Sequence, residues 1–199
     1  MKTAIDQSKL AGLEYARGSM NPHEGAFLRE LVELIATPSC ENPSGVITAV
    51  EIGSWIGVST VYLAQGAPEG MIIAIDPHEG YSLHKRRQIP DTEALLRENL
   101  KRFEVERRVK VIRATSMNAL KEWKSRVDLL FIDGNHLFKF VREDFFGWSC
   151  WIPSGGVLAF HDYPMLSGPR RVIDEIVKPS GLWEEVGHVQ RLVVFRRKK

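Results

Sequence analysis

Two stretches of the chain set acids and histidines directly behind apolar runs. One is Phe131-Ile132-Asp133-Gly134-Asn135-His136; the other is Ala159-Phe160-His161-Asp162-Tyr163. Carboxylates and imidazoles can hold a cation or pass a proton, provided the fold makes them converge. A plain hydrogen-bonded His/Asp pair at a strand end would leave the same trace in the sequence, and His136 could equally sit on a loop facing solvent.

A third stretch, Val50-Glu51-Ile52-Gly53-Ser54-Trp55-Ile56-Gly57-Val58-Ser59-Thr60, carries a different chemistry. Gly53 and Gly57 allow a tight turn and a close approach of backbone to a ligand. Ser59 or Thr60 falls near the start of the next helix, where free amides and the helix dipole favour an anionic group. The spacing is not GxGxxG, so the dinucleotide fingerprint is absent. A bare strand-to-helix turn would look the same. Asp76 follows the apolar run Ile72–Ile75. A carboxylate there can accept hydrogen bonds from both hydroxyls of a ribose, or simply cap a helix.

These groups need a scaffold, and the hydrophobic pattern supplies one. Val- and Ile-rich runs at 46–52, 71–75, 109–112, 127–132 and 157–160 alternate with helical patterns, the signature of a parallel sheet with crossover helices. Asn21 and Pro22 mark a helix start, with Phe27, Leu28, Leu31, Leu34 and Ile35 expected on its inner side. Asp91 caps a helix bearing Leu95, Leu96, Leu100 and Phe103, and 118–123 reads as a short helix. Phe138, Val141, Phe145 and Trp148 share a helical face, for core or dimer contacts. Pro153–Gly156 ends that helix, and Gly168-Pro169 opens another carrying Val172, Ile173, Ile176 and Val177. The segment 182–197 reads as a hairpin at the sheet edge. In a parallel sheet ligands bind beyond the carboxyl ends of the strands, so Gly53, Asp76, Asp133, His136, His161 and Asp162 are expected on one rim.

Composition narrows the partners. The chain has 199 residues, 27 Lys and Arg against 25 Asp and Glu, 44% hydrophobic and 26% charged residues. Four of the basic residues are the terminal Arg196, Arg197, Lys198 and Lys199, expected as a solvated tail; the remaining 23 face 25 acids, so no basic face for nucleic acid is expected. Cys40 and Cys150 are too few for a disulfide framework; they read as reduced thiols of a cytoplasmic protein or as one bridge. No run of about 18 apolar residues suits a membrane span, and the first residues lack the apolar core of a signal peptide. One domain over 1–199 is expected, with an N-terminal extension (1–20) and an insertion at 78–90 that reads as a lid, a contact for an anionic substrate or a solvated loop.

Glu51-Ile52-Gly53-Ser54-Trp55-Ile56-Gly57-Val58-Ser59-Thr60, Ile73-Ala74-Ile75-Asp76-Pro77, Arg113-Ala114-Thr115-Ser116 and Leu129-Leu130-Phe131-Ile132-Asp133-Gly134, in that order, resemble the motifs of class I S-adenosylmethionine-dependent methyltransferases. The branch they are most similar to holds catechol and caffeoyl-CoA O-methyltransferases and bacterial methyltransferases of natural-product sugars. Met20-Asn21-Pro22-His23-Glu24-Gly25 resembles the segment before the first strand in that branch.

The resemblance implies an α/β, Rossmann-like doubly wound fold: a mostly parallel seven-stranded sheet with an antiparallel C-terminal hairpin. It implies S-adenosyl-L-methionine as cofactor, bound by Glu51, Gly53, Ser54, Trp55, Gly57 and Ser59 around its methionine part, by Asp76 at the ribose, by Ser116 at the adenine, and with Asp133 nearby. It further implies a divalent metal on Asp133, His161 and Asp162. Relatives more often carry an acid where this chain has His161, and an imidazole suits softer ions better than Mg²⁺. His136 takes the place of the base, Asp133 assisting, and the substrate is a small hydroxylated molecule, in a monomer or a homodimer. Two other functions remain open on the sequence. One is a metal-independent methyltransferase acting on another acceptor; the other is a nucleoside-cofactor-binding protein without catalysis.

Overall fold

In the computed structural model, which describes residues 5–12, 20–39, 42–79 and 91–199, seven strands join one sheet. They are β1 (Thr48–Ile52), β2 (Met71–Asp76), β3 (Val109–Arg113), β4 (Leu129–Ile132), β5 (Val157–Phe160), β6 (Trp183–Val189) and β7 (Leu192–Arg197). Their order is β3-β2-β1-β4-β5-β7-β6. The first five are parallel; β7 runs antiparallel to both β5 and β6. Strand order reverses between β1 and β4, which makes a crevice at their carboxyl ends.

The central strands are largely apolar because both their faces are covered, the buried Glu51 of β1 being an exception. Ala49, Ile72, Leu129, Phe131, Val157, Ala159, Leu192 and Val194 point into one core. Their neighbours Val50, Ile73, Leu130, Ile132, Leu158, Phe160, Val193 and Phe195 point into the other, the two-residue alternation of a pleated strand. The first core is closed by α1 (Pro22–Ile35), α2 (Val58–Gly66) and α3 (Thr92–Arg102). The second is closed by α4 (Ser116–Leu120), α5 (Phe138–Ser149) and α6 (Ser167–Val172). The last helix widens over Ile173–Val177, where Lys178 N–H reaches the Ile173 carbonyl at 2.9 Å.

Several details depart from the sequence pattern. Leu34, expected inward, is 62% exposed, because the buried stripe of α1 is Leu28, Leu31 and Val32 and Leu34 lies on its flank. The short helix begins earlier, at Ser116, where the Thr115 hydroxyl caps it. Phe145 and Trp148, by contrast, agree with the core contacts expected of them: both are buried. The terminal basic run is not simply solvated: Arg196 and Arg197 belong to β7, and the Arg197 guanidinium donates to the carbonyls of Ser149 and Ile152. Residues 5–12 lie against α3, where the Asn99 side chain accepts from Ala11 N–H at 2.6 Å and donates to the carbonyls of Ala11 and Ile56. Cys150 is an exposed free thiol; Cys40 and positions 80–90 of the expected lid lie outside the described residues. Among the described residues no helix is long and apolar enough to cross a membrane.

Candidate active site

Backbone hydrogen bonds across the sheet bring four strand ends abreast. Gly53 N–H donates to the Ile75 carbonyl (2.8 Å), Asp133 N–H to Ile52 (2.9 Å) and His161 N–H to Ile132 (3.1 Å). Asp76, Gly53, Asp133 and His161 therefore stand in one row at the crevice.

Gly53 is required by sterics as well as by conformation. Its φ is +93°, and a Cβ there would lie 2.6 Å from both the Asp133 carbonyl carbon and the Gly134 Cα. The two turns consequently touch. Asp76 is fixed from both sides: Trp55 N–H donates to Oδ2 at 2.9 Å and His78 N–H to Oδ1 at 2.7 Å. Each oxygen keeps lone-pair capacity for a further donor. Trp55, at φ +44°, turns its ring toward the first core, so its contribution at this point is its amide.

Other residues assigned to the cofactor by resemblance are engaged with one another. The Glu51 carboxylate is fully buried and accepts from the hydroxyls of Ser59 and Thr60, clamping the first turn of α2 to β1. Burial pushes Glu51 up to about 8, against the hydroxyl hydrogen bonds that favour its charged form. Ser116 donates its hydroxyl to Asp144, a buried acid of α5 that burial raises to about 6. Ser54 Oγ is buried without a hydrogen-bond partner among the described residues. Gly57, at φ +85°, starts α2 and packs on Leu96.

The acid and histidine residues do converge. His136 Nε2 lies 2.9 Å from Asp162 Oδ2 and 3.5 Å from Asp133 Oδ1. His161 Nδ1 lies 3.2 Å from Asp133 Oδ1 and 3.6 Å from Asp162 Oδ1. Behind them His161 Nε2 meets Glu24 Oε2 at 3.1 Å, and Arg191 Nη1 meets Asp162 Oδ1 at 2.9 Å. The α6 start presses on this loop: a Cβ on Gly168 would collide with the His136 carbonyl.

The electrostatics follow from this geometry. Burial alone would lower both histidines, but the two Asp carboxylates raise His136 to about 9, and Asp133, Asp162 and Glu24 raise His161 to about 10. Burial alone would raise the acids, yet His161 and His136 hold Asp133 far below the usual carboxylate range. Hydrogen bonds from His161 and from the Asn21 and Arg191 amides lower Glu24 to about 2.

Asp133, His161 and Asp162 are the donors expected for a cation. Both nitrogens of His161 already face carboxylates, which leaves that ring no lone pair to offer. Asp133, His136 and Asp162 instead each present a ligand atom within 4.8 Å of the others. His136 Nε2 is buried and has no hydrogen-bond partner among the described residues, despite its closeness to both acids. Two carboxylates and one imidazole suit a divalent transition metal, so these residues fit such an ion. Glu24, Arg191 and Asp144 were not among the site residues expected from the sequence. The one local signal was the capping box that Asn21 and Glu24 form.

The fold is shared with solved methyltransferases. The chain is similar to the O-methyltransferase TomG from Streptomyces achromogenes, involved in tomaymycin synthesis and solved with S-adenosylmethionine: 14% identity, 100% of this chain and 93% of that one covered, TM-score 0.72. It is also similar to an O-methyltransferase from Bacillus cereus solved with S-adenosylhomocysteine: 18% identity, 96% and 88% covered, TM-score 0.68. A Geobacter sulfurreducens methyltransferase gives 15% identity, 94% and 86% covered, TM-score 0.69. The profile of the family described as "Methyltransferase domain" matches residues 50–163, from the strand before the Gly53 turn to just past Asp162. Because that match spans more than half of the chain, this protein belongs to the methyltransferase domain family.

Proposed function

We propose that the protein transfers the methyl group of S-adenosylmethionine to a hydroxyl of a small molecule in the cytoplasm. The observation that carries this is the contact between the Gly53 turn and Asp133: the turn suited to the cofactor and the acid–histidine cluster share one rim. The cofactors bound by the TomG and Bacillus cereus proteins support the same choice.

In this reading the Asp76 carboxylate, oriented by the Trp55 and His78 amides, accepts from the ribose hydroxyls. Asp133 favours cationic charge nearby, which suits the sulfonium end of the cofactor. The acceptor oxygen attacks the methyl carbon in line, the carbon–sulfur bond breaks, and S-adenosylhomocysteine leaves; positioning supplies much of the rate. His136 Nε2 takes the hydroxyl proton, and the imidazolium so formed lies between Asp162 and Asp133. His161, turned to Glu24 and Asp133, orients rather than reacts.

The buried His136 Nε2, without a hydrogen-bond partner among the described residues, favours a second reading, in which Asp133, His136 and Asp162 hold a divalent cation. Such an ion, when bound, supplies Lewis acidity that lowers the pKa of the acceptor hydroxyl. Titrating S-adenosylmethionine into the protein, then assaying S-adenosylhomocysteine release over a panel of hydroxylated small molecules with EDTA or added Mn²⁺, tests both. Cofactor binding and release that persists in EDTA support His136 as base; release only with the ion supports the metal reading; no cofactor binding overturns both.

A further inference from the structure

Glu24 belongs to α1, not to the row of strand ends, yet its carboxylate is completely buried behind them. We infer that Glu24 is a positioning residue: it fixes His161 and Arg191, and each of these holds one carboxylate of the candidate active site. The inference rests on assigning methyl transfer to Asp133, His136 and Asp162.

Every oxygen of Glu24 is used. Oε1 accepts from Arg191 N–H at 2.9 Å and lies 3.4 Å from Arg191 Nε. Oε2 accepts from Asn21 N–H at 3.0 Å, lies 3.1 Å from His161 Nε2 and 3.4 Å from Arg191 Nη2. The far side of each cation reaches the site, His161 Nδ1 to Asp133 at 3.2 Å and Arg191 Nη1 to Asp162 at 2.9 Å. Two carboxylates are thus oriented through two cations that share one anchor.

Capping α1 does not explain this arrangement. A capping box needs a single side-chain oxygen, at a helix end that is ordinarily wet, and a glutamine meets it as well as a glutamate. Burying a carboxylate carries a desolvation cost that pairing offsets without much net gain in stability, so the pairing points to orientation. Glu24 also joins parts of the chain remote from each other. Arg191 sits in the turn between β6 and β7, whose Gln190 side chain accepts from Asn21 Nδ2 at 2.5 Å. Both Glu24 and Arg191 lie outside the 50–163 match, so the ends of the chain reach into the site that the matched middle supplies. The two aspartates repel each other as anions, and the charges of His161 and Arg191 beside them offset that repulsion.

The test is steady-state kinetics on the full chain with S-adenosylmethionine and the acceptor found in the panel, for wild type, Glu24→Gln, Glu24→Asp and Arg191→Lys, alongside thermal unfolding. Glu24→Gln is expected to lower kcat by at least about tenfold with the KM for S-adenosylmethionine within about twofold, since misplaced groups cost rate rather than cofactor affinity. Glu24→Asp keeps the charge but shortens the reach, and is expected to fall several-fold rather than to restore wild-type turnover. Wild-type kcat in Glu24→Asp would reduce the role to charge and overturn the inference. Arg191→Lys, at a partly exposed site, decides the matter if Glu24→Gln does not fold: several-fold loss of kcat supports the inference, and turnover within about twofold of wild type overturns it. A wild type that binds the cofactor but methylates nothing refutes the function itself, a result distinct from active wild type with unaffected variants.

Discussion

Gly53 and Asp133, each just past the end of one of two neighbouring parallel strands, touch through their backbones: the Cβ that Gly53 lacks would lie 2.6 Å from the Asp133 carbonyl carbon. That contact joins the turn after β1 to the acid–histidine cluster. Gly53→Ala must both adopt φ near +93° and push the β4 turn away. A left-handed non-glycine residue costs about 1–3 kcal/mol before any clash. The expected result is a melting temperature lower by several degrees and S-adenosylmethionine affinity down at least about tenfold, read by calorimetry.

Asp76 is held by the Trp55 and His78 amides, so its removal both deletes the proposed ribose acceptor and frees two donors. Asp76→Ala is expected to weaken S-adenosylmethionine binding by about 10- to 100-fold, the worth of one or two charge-assisted hydrogen bonds. Asp76→Asn keeps one acceptor oxygen and should fall between. Isothermal titration of both variants checks the order; equal affinity in all three proteins would remove Asp76 from the site.

Glu51 gives a pH dependence of stability with a definite sign. Burial raises its folded pKa from 4.5 to about 8, so between these values the folded chain keeps a proton that the unfolded chain has lost. Stability from this group is therefore greatest below 4.5 and declines as pH rises toward 8. Glu51→Gln cannot ionise and should gain melting temperature relative to wild type as pH goes from 5 to 8. A difference that stays flat or shrinks over that range counts against a protonated Glu51.

His136, raised to about 9 by Asp133 and Asp162 against its burial, is mostly protonated at neutral pH. If it is the base, turnover in EDTA should climb between pH 7 and 9, by roughly tenfold per unit well below the pKa, and level off above it. His136→Ala should lose most of that turnover while still binding the cofactor. A pH-independent rate from 7 to 9 argues against His136 as base.

Much of the fold is legible in the residues. Val50, Ile73, Leu130 and Leu158 lie in strands covered on both faces, so they sit in apolar runs that announce a parallel sheet, and the acids ending those runs mark the rim. The roles within the rim are less legible, because they depend on partners far away in sequence. Nothing near His161 reveals that Glu24, 137 positions earlier, occupies one of its nitrogens. Ser116 and Asp144 meet only because α4 packs on α5. Arg191 is one basic residue in a hairpin turn until the fold lays it over Asp162.

The central claim is that a methyl group moves from S-adenosylmethionine to an acceptor oxygen at this rim. Incubation with cofactor carrying a deuterated methyl group and the acceptor panel, followed by mass spectrometry and NMR of the product, tests it most directly. The account predicts a labelled methyl on a hydroxyl oxygen, one S-adenosylhomocysteine per product, and a large fall in both in His136→Ala and, at limiting cofactor, in Asp76→Ala. Label on nitrogen or carbon, or cofactor bound by wild type with no label transferred to any acceptor, would contradict it.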